Sequence, residues 1–187
     1  LQELSSGRYG LVHYSGHAQF AGSSSAWVVG DGQLTTHELT KAIQSGPPVM
    51  VVCSACWSAK AGAAGALRYE GQSFDLPGAF LQAGIEAYIG ALWPVDADRS
   101  WAFFKEFYSE FLKGKHNLGE CMRLAKWASK QDEESVLAAT FVKGPKPEEG
   151  QKMPTPINWL AFVLYGDPHV MPGDLFTAMA NSERWAF

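Results

Sequence analysis

The chain has 187 residues, 47% of them apolar and 13% aromatic, with a net charge of −4. That is enough for one α/β domain with a sizeable core, and the absence of a basic patch excludes nucleic acid as a natural direct partner. No apolar run approaches the ~20 residues that cross a bilayer; no signal-peptide pattern is present, and three cysteines form no disulfide framework but point to free thiols in a reducing cytoplasm.

Leu1 to Ser6 reads as a helix tail stopped by Gly7, so the chain reads as a fragment of a larger protein, with part of its sheet supplied from outside. Gly10 to Ser15 is a first apolar strand. His17 to Ser25, small and polar, is expected to be a loop, and Ala26 to Val29 a short strand before the turn at Gly30-Asp31-Gly32. Thr35 with Glu38 is a capping-box signature and predicts a helix over Thr36 to Gln44. Val49 to Cys53, VMVVC, is an unbroken apolar run closed by small residues, the pattern of a buried parallel strand. Ala59 to Tyr69 is Ala- and Gly-rich with no clear element. Pro77 suits the first turn of a helix to about Gln82, and Glu86 to Trp93 is another strand. Asp98 is the expected N-cap of a helix over Arg99 to Lys113, with Trp101, Phe104, Tyr108, Phe111 and Leu112 on one face. Asn117 with Glu120 opens a helix to about Lys130. Lys143 to Pro156, charged and Pro-rich, predicts a mobile surface loop, and Ile157 to Tyr165 a last strand. Strands alternating with helices predict a single α/β domain with a mostly parallel central sheet flanked by helices.

Two strand ends carry chemistry. The first strand runs into Ser15-Gly16-His17, and the VMVVC strand runs into Ser54-Ala55-Cys56. Open α/β sheets place their reaction sites past the carboxyl ends of strands. If the two strands are parallel neighbours, His17 and Cys56 emerge at the same edge. An imidazole beside a thiol can accept its proton, stabilise the thiolate and then protonate a leaving amine. The small loop around Gly16 to Ala18, and Cys56 itself, supply backbone N–H groups for an oxyanion. Rival readings stay open. Free cysteines are among the most buried residues. Cys53-Ser54-Ala55-Cys56 is also a C-x-x-C, which serves redox pairs and zinc sites; the redox use requires both thiols exposed, and the zinc use requires two more ligands that His37, Cys121, His116 and His169 do not supply as a pair. His13 reads as a core or supporting residue. Asp96 and Asp98 lie past the strand ending at Trp93; Asp98 is a helix cap, or one of the pair lines a substrate pocket and holds a basic side chain.

The segments VHYSGHAQF, VVCSACWSA, LPGAFLQAGIEAYIGALWPVDADRSWAFFKEFYSEFLKGK, LGECMRLAKWA and INWLAFVLYGDP together resemble a CHAT domain. This is the caspase-like peptidase domain often attached to TPR repeats, in the clan of caspases, separase, gingipain and metacaspases. The resemblance implies a caspase-like fold and a Cys–His dyad. The second histidine of the H-x-x-G-H-G-like motif falls on His17, and the nucleophile of the L-S-A-C-x-S/T-like motif falls on Cys56. Where the family usually has glycine after the histidine, this chain has Ala18, with a methyl expected near the oxyanion position. The acidic pair after W-P-V appears as Asp96-Ala97-Asp98, with the second acid displaced by one residue. The resemblance thus implies a cytoplasmic cysteine endopeptidase without a cofactor or metal. It cuts a protein or peptide substrate, with a basic P1 residue held by Asp96 or Asp98, under control of TPR repeats or another activating protein. The alternative is a caspase-like scaffold that binds peptides without cutting them.

Overall fold

The computed structural model describes residues 1–21, 24–56, 58–59, 76–143 and 158–182. After a short 3₁₀ turn at Leu4–Ser6, ended by Gly7 at φ 64°, come β1 (Leu11–Tyr14), β2 (His17–Ala21), β3 (Ser24–Val29), β4 (Gly32–Thr35) and α1 (Thr36–Ile43). They are followed by β5 (Met50–Cys53), α2 (Leu76–Gln82), β6 (Ala87–Ala91), α3 (Ala97–Leu112), α4 (Leu118–Lys143), α5 (Asn158–Ala161), β7 (Phe162–Gly166) and α6 (Pro172–Ser182).

The main sheet has the order β1-β5-β6-β7. The first two pairings are parallel and the last is antiparallel. All residues of β5 and β6 are buried, as expected of a sheet covered on both faces. Their side chains alternate accordingly. Met50, Val52, Ala87, Ile89 and Ala91 join the phenylalanines of α3, Leu118, Cys121, Met122 and Ala125 of α4, and Leu175 of α6 in one core. Val51, Cys53 and Tyr88 join Leu39 and Ile43 of α1, Leu76 and Phe80 of α2, and Trp27 of β3 in the other. The chain is therefore a mixed α/β sandwich, as its sequence predicts, with a second antiparallel sheet β2-β3-β4 beside it.

Five local expectations change. Residues 17–21 are strand rather than loop, because pairing with β3 supplies hydrogen bonds that their composition does not advertise. The stretch 157–165 is split: α5 precedes β7. The buried Glu133 of α4 lies beside Asn158 and Trp159 at the start of that extra turn. α4 runs to Lys143, well past Lys130, in a segment free of Gly and Pro until Gly144. The core face of α3 is Phe103, Phe104, Phe107 and Phe111, whereas Trp101 and Leu112 are 70% and 69% exposed. The fifth change concerns the cap. Asp96, not Asp98, is the N-cap of α3, its Oδ1 accepting from the N–H groups of Asp98 and Arg99 at 3.0 and 3.2 Å. Asp98 sits in the first turn, where its charge complements the helix dipole. Asp96→Ala is expected to cost about 1 kcal/mol of stability, read as a lower urea midpoint, with Asp98→Ala costing less. The expected loop over 143–156 lies outside the described residues apart from Lys143, which ends α4.

Candidate active site

The β1–β5 register aligns Tyr14 with Cys53, the last residues of both strands. Ser54 extends the ladder, its N–H donating to Tyr14 O at 2.9 Å. His17 follows Tyr14 by three positions and Cys56 follows Cys53 by three, so parallel neighbours launch both residues from one sheet edge. They line one cavity of about 710 Å³. Its other wall is α3, through Ser100, Trp101, Phe104, Lys105 and Tyr108. A smaller cavity, about 420 Å³, lies between α1 and α2 and contains neither His17 nor a cysteine.

Each side chain has local causes for its position. The Tyr14 hydroxyl reaches two carbonyls, His17 O at 2.8 Å and Val28 O at 2.6 Å, and serves them with one proton. Its ring stacks on Trp27, centroids 4.4 Å apart. That hydroxyl fills the space beside residue 16, where a Cβ would fall 2.6 Å from it. Glycine at this position lets the backbone turn from β1 into β2 and carry His17 into the cavity. On the other strand, the fully buried Ser58 ties the segment after Cys56 to β6. Its hydroxyl donates to Cys53 O at 2.7 Å and accepts from Ala91 N–H at 2.9 Å. Tyr88 donates to Ser58 O at 2.9 Å, Ala59 N–H donates to Ala91 O at 2.9 Å, and Tyr165 donates to Ala59 O at 3.0 Å. Cys56 is thus held between a strand end and a hydrogen-bonded anchor two residues on.

The three thiols are not equivalent. Cys53 is fully buried, and burial pushes its pKa up. Cys121 is buried against α3, and burial raises its thiol to about 11. Cys56 is half-exposed and lines the cavity. Low accessibility and a raised pKa both oppose reactivity at Cys53 and Cys121, and the buried Cys53 lacks the exposure a C-x-x-C redox pair requires. The His17 side chain is exposed and shares no hydrogen bond with Cys56, an arrangement common in resting sites, which tighten on substrate.

The remaining residues singled out in the sequence fall as follows. Gly16 lines the cavity beside His17. Ala18 does not; its methyl packs against the core that contains Trp27. The extra carbon relative to glycine is therefore turned away from the reaction side. Asp96 and Asp98 do not line the cavity either, and Asp96 is engaged as a helix cap. Among the described residues, no group of three or more His, Cys, Asp or Glu side chains could hold a metal ion, and no helix is long and apolar enough to cross a membrane.

Residues 1–167 match the family model of the CHAT domain. The chain belongs to the CHAT family. The CHAT family is one of caspase-like, peptidase-related domains, in agreement with the resemblance carried by the histidine and cysteine motifs. A search of the curated proteins found no match to this CHAT domain.

Sequence reasoning passed over much of this CHAT site. His13, read as a supporting residue, is itself part of the cavity wall. It shares a 2.9 Å hydrogen bond through Nδ1 with the Tyr108 hydroxyl and packs on Phe104 at 4.9 Å. The α3 wall is visible in the sequence as aromatic residues on one helix face, a pattern that does not say whether the face meets a core or a cavity. Ser58 closes the L-S-A-C-x-S/T-like motif, but the motif does not announce that its hydroxyl clamps the segment to β6.

The His13 ring opens to the cavity but is crowded on its protein side, and that burial holds its pKa below the ordinary imidazole value. The unfolded chain then takes up this proton first, at about pH 6.5. The neutral ring's contribution is complete above that pH and is lost as pH falls through the lower folded value. Melting curves between about pH 8 and 5 are expected to show the wild type losing more stability on acidification than His13→Asn.

Proposed function

We propose that this CHAT domain is a cysteine endopeptidase in which Cys56 is the nucleophile and His17 its general base and acid. The observation that carries the reading is the β1–β5 register, which delivers an accessible thiol and an imidazole to one cavity from residues 39 positions apart in sequence. His17 takes the thiol proton, and the sulfur attacks the scissile carbonyl carbon while its C=O electrons move onto oxygen. The N–H groups of Gly16 and Cys56 are the candidate donors to that oxyanion. On collapse the C–N bond breaks and His17 gives its proton to the departing amine. A water deprotonated by His17 then attacks the thioester, releasing the carboxylic acid and returning the thiol.

The substrate is a protein or peptide. A basic P1 residue, implied by the family resemblance through Asp96 or Asp98, gains no support from the cavity wall, which contains neither carboxylate. Control by TPR repeats or another activating protein rests on the family resemblance, and the isolated chain is expected to turn over slowly.

Two measurements test the proposal. A thiol-reactive probe near neutral pH should modify Cys56 well ahead of Cys53 and Cys121; equal sluggishness at all three favours the non-cutting scaffold. Peptide-library cleavage by the wild type should vanish in Cys56→Ala, and equal cleavage by both proteins refutes the assignment.

A further inference from the structure

The cavity has one wall whose chemistry is independent of the dyad. Ala97, Ser100, Trp101, Phe104, Lys105 and Tyr108 occupy positions i, i+3, i+4, i+7, i+8 and i+11 of α3, a single stripe along one helix face, and all of them line it. At its amino end the stripe is small, leaving room beside Ala97 and Ser100. Its middle is aromatic, with Phe104 buried behind and Trp101 standing 70% exposed in front. A large indole left uncovered on the rim of an apolar cavity is the kind of surface a bound partner covers. Lys105 stands one turn beyond Trp101 and is exposed, and among the described residues it has no ion-pair partner. No carboxylate is among the described residues that line the cavity.

We infer that this α3 stripe sets substrate specificity, taking a polypeptide that presents a large apolar or aromatic side chain to the Trp101–Phe104 surface with an acidic residue beside it facing Lys105. The inference rests on reading the cavity as a polypeptide site, and it departs from the basic preference implied by the family resemblance. An arginine in the same place brings a cation next to Lys105 and gives up its water without a carboxylate among the described lining residues to receive it.

The test reads binding, not turnover, so that it stands apart from the peptidase reading. Fluorescent peptides are titrated against Cys56→Ala by anisotropy. One series varies only a central residue (Phe, Leu or Arg) and another varies only its neighbour (Glu, Ala or Lys). Phe and Leu peptides are expected to bind about tenfold or more tighter than the Arg peptide. Glu is expected to be the best neighbour and Lys the worst. Trp101→Ala, at an exposed position where folding is little affected, should remove most of the Phe and Leu advantage, and Lys105→Glu should invert the order of neighbours. Tighter binding of the Arg peptide, a neighbour order unmoved by Lys105→Glu, or no binding by any peptide overturns the inference. Ordered binding without turnover in the wild type overturns the peptidase reading alone.

Discussion

Exchange of His17 for alanine is expected to lower kcat/KM for peptide hydrolysis by about 10²- to 10⁴-fold, the span that a positioned general acid and base contributes. Cys56→Ala should cost at least as much, since no covalent route then remains. The pair acts as one unit, so His17→Ala/Cys56→Ala should be no slower than Cys56→Ala alone. Peptide affinity should change little in either variant, because neither removes the α3 wall. Single-turnover assays with anisotropy titrations on the same proteins check all four statements. Additive losses in the double variant, or retained hydrolysis in His17→Ala, count against a dyad. Tyr14 offers a finer probe: its hydroxyl bonds to the His17 carbonyl, so its loss acts on turnover only by letting β2 shift.

Ser58→Ala is expected to be the most costly single-atom deletion near the site. The lost oxygen leaves Cys53 C=O and Ala91 N–H without partners in a fully buried place. Each orphaned buried group costs about 1–3 kcal/mol, so the two together cost about 2–6 kcal/mol. Chemical denaturation of wild type and variant measures it, and an unchanged midpoint means that the clamp carries no weight. Gly90→Ala attacks the same joint from β6, where a new Cβ falls 2.7 Å from the Tyr88 ring and 3.0 Å from Ser58 Oγ. Both variants should lose hydrolysis at temperatures where they remain folded, since Cys56 then lacks its anchor.

What could be read from the amino acids, and what could not, divides along a physical line. β5 and β6 were legible because a strand covered on both faces is apolar throughout, and the Thr35–Glu38 box because its reciprocal bonds are made within four residues. The pairing of β1 with β5 followed from the chemistry at their ends. β2 was not legible: AQFA has little strand character, and β3 supplies what holds it. Nor was α5, a four-residue turn too short for a helical period to show. Either Asp96 or Asp98 could cap α3 by type, and the choice was made by where the chain leaves β6. The cavity face of α3 was missed because an aromatic at helical spacing looks the same whether it faces a core or a substrate. Trp101 is 70% exposed where Phe103, two positions on, is buried.

The β1–β5 ladder also determines when chemistry becomes available. Its paired residues are 39 positions apart in sequence, and closing such a loop is slower than any local helix. Until it closes, thiol and imidazole belong to separate stretches of coil. A growing or partly unfolded polypeptide therefore has no competent centre with which to attack itself or its neighbours. With Cys56 and His17 as the proposed dyad, topology alone withholds cleavage during synthesis, before any inhibitor is required.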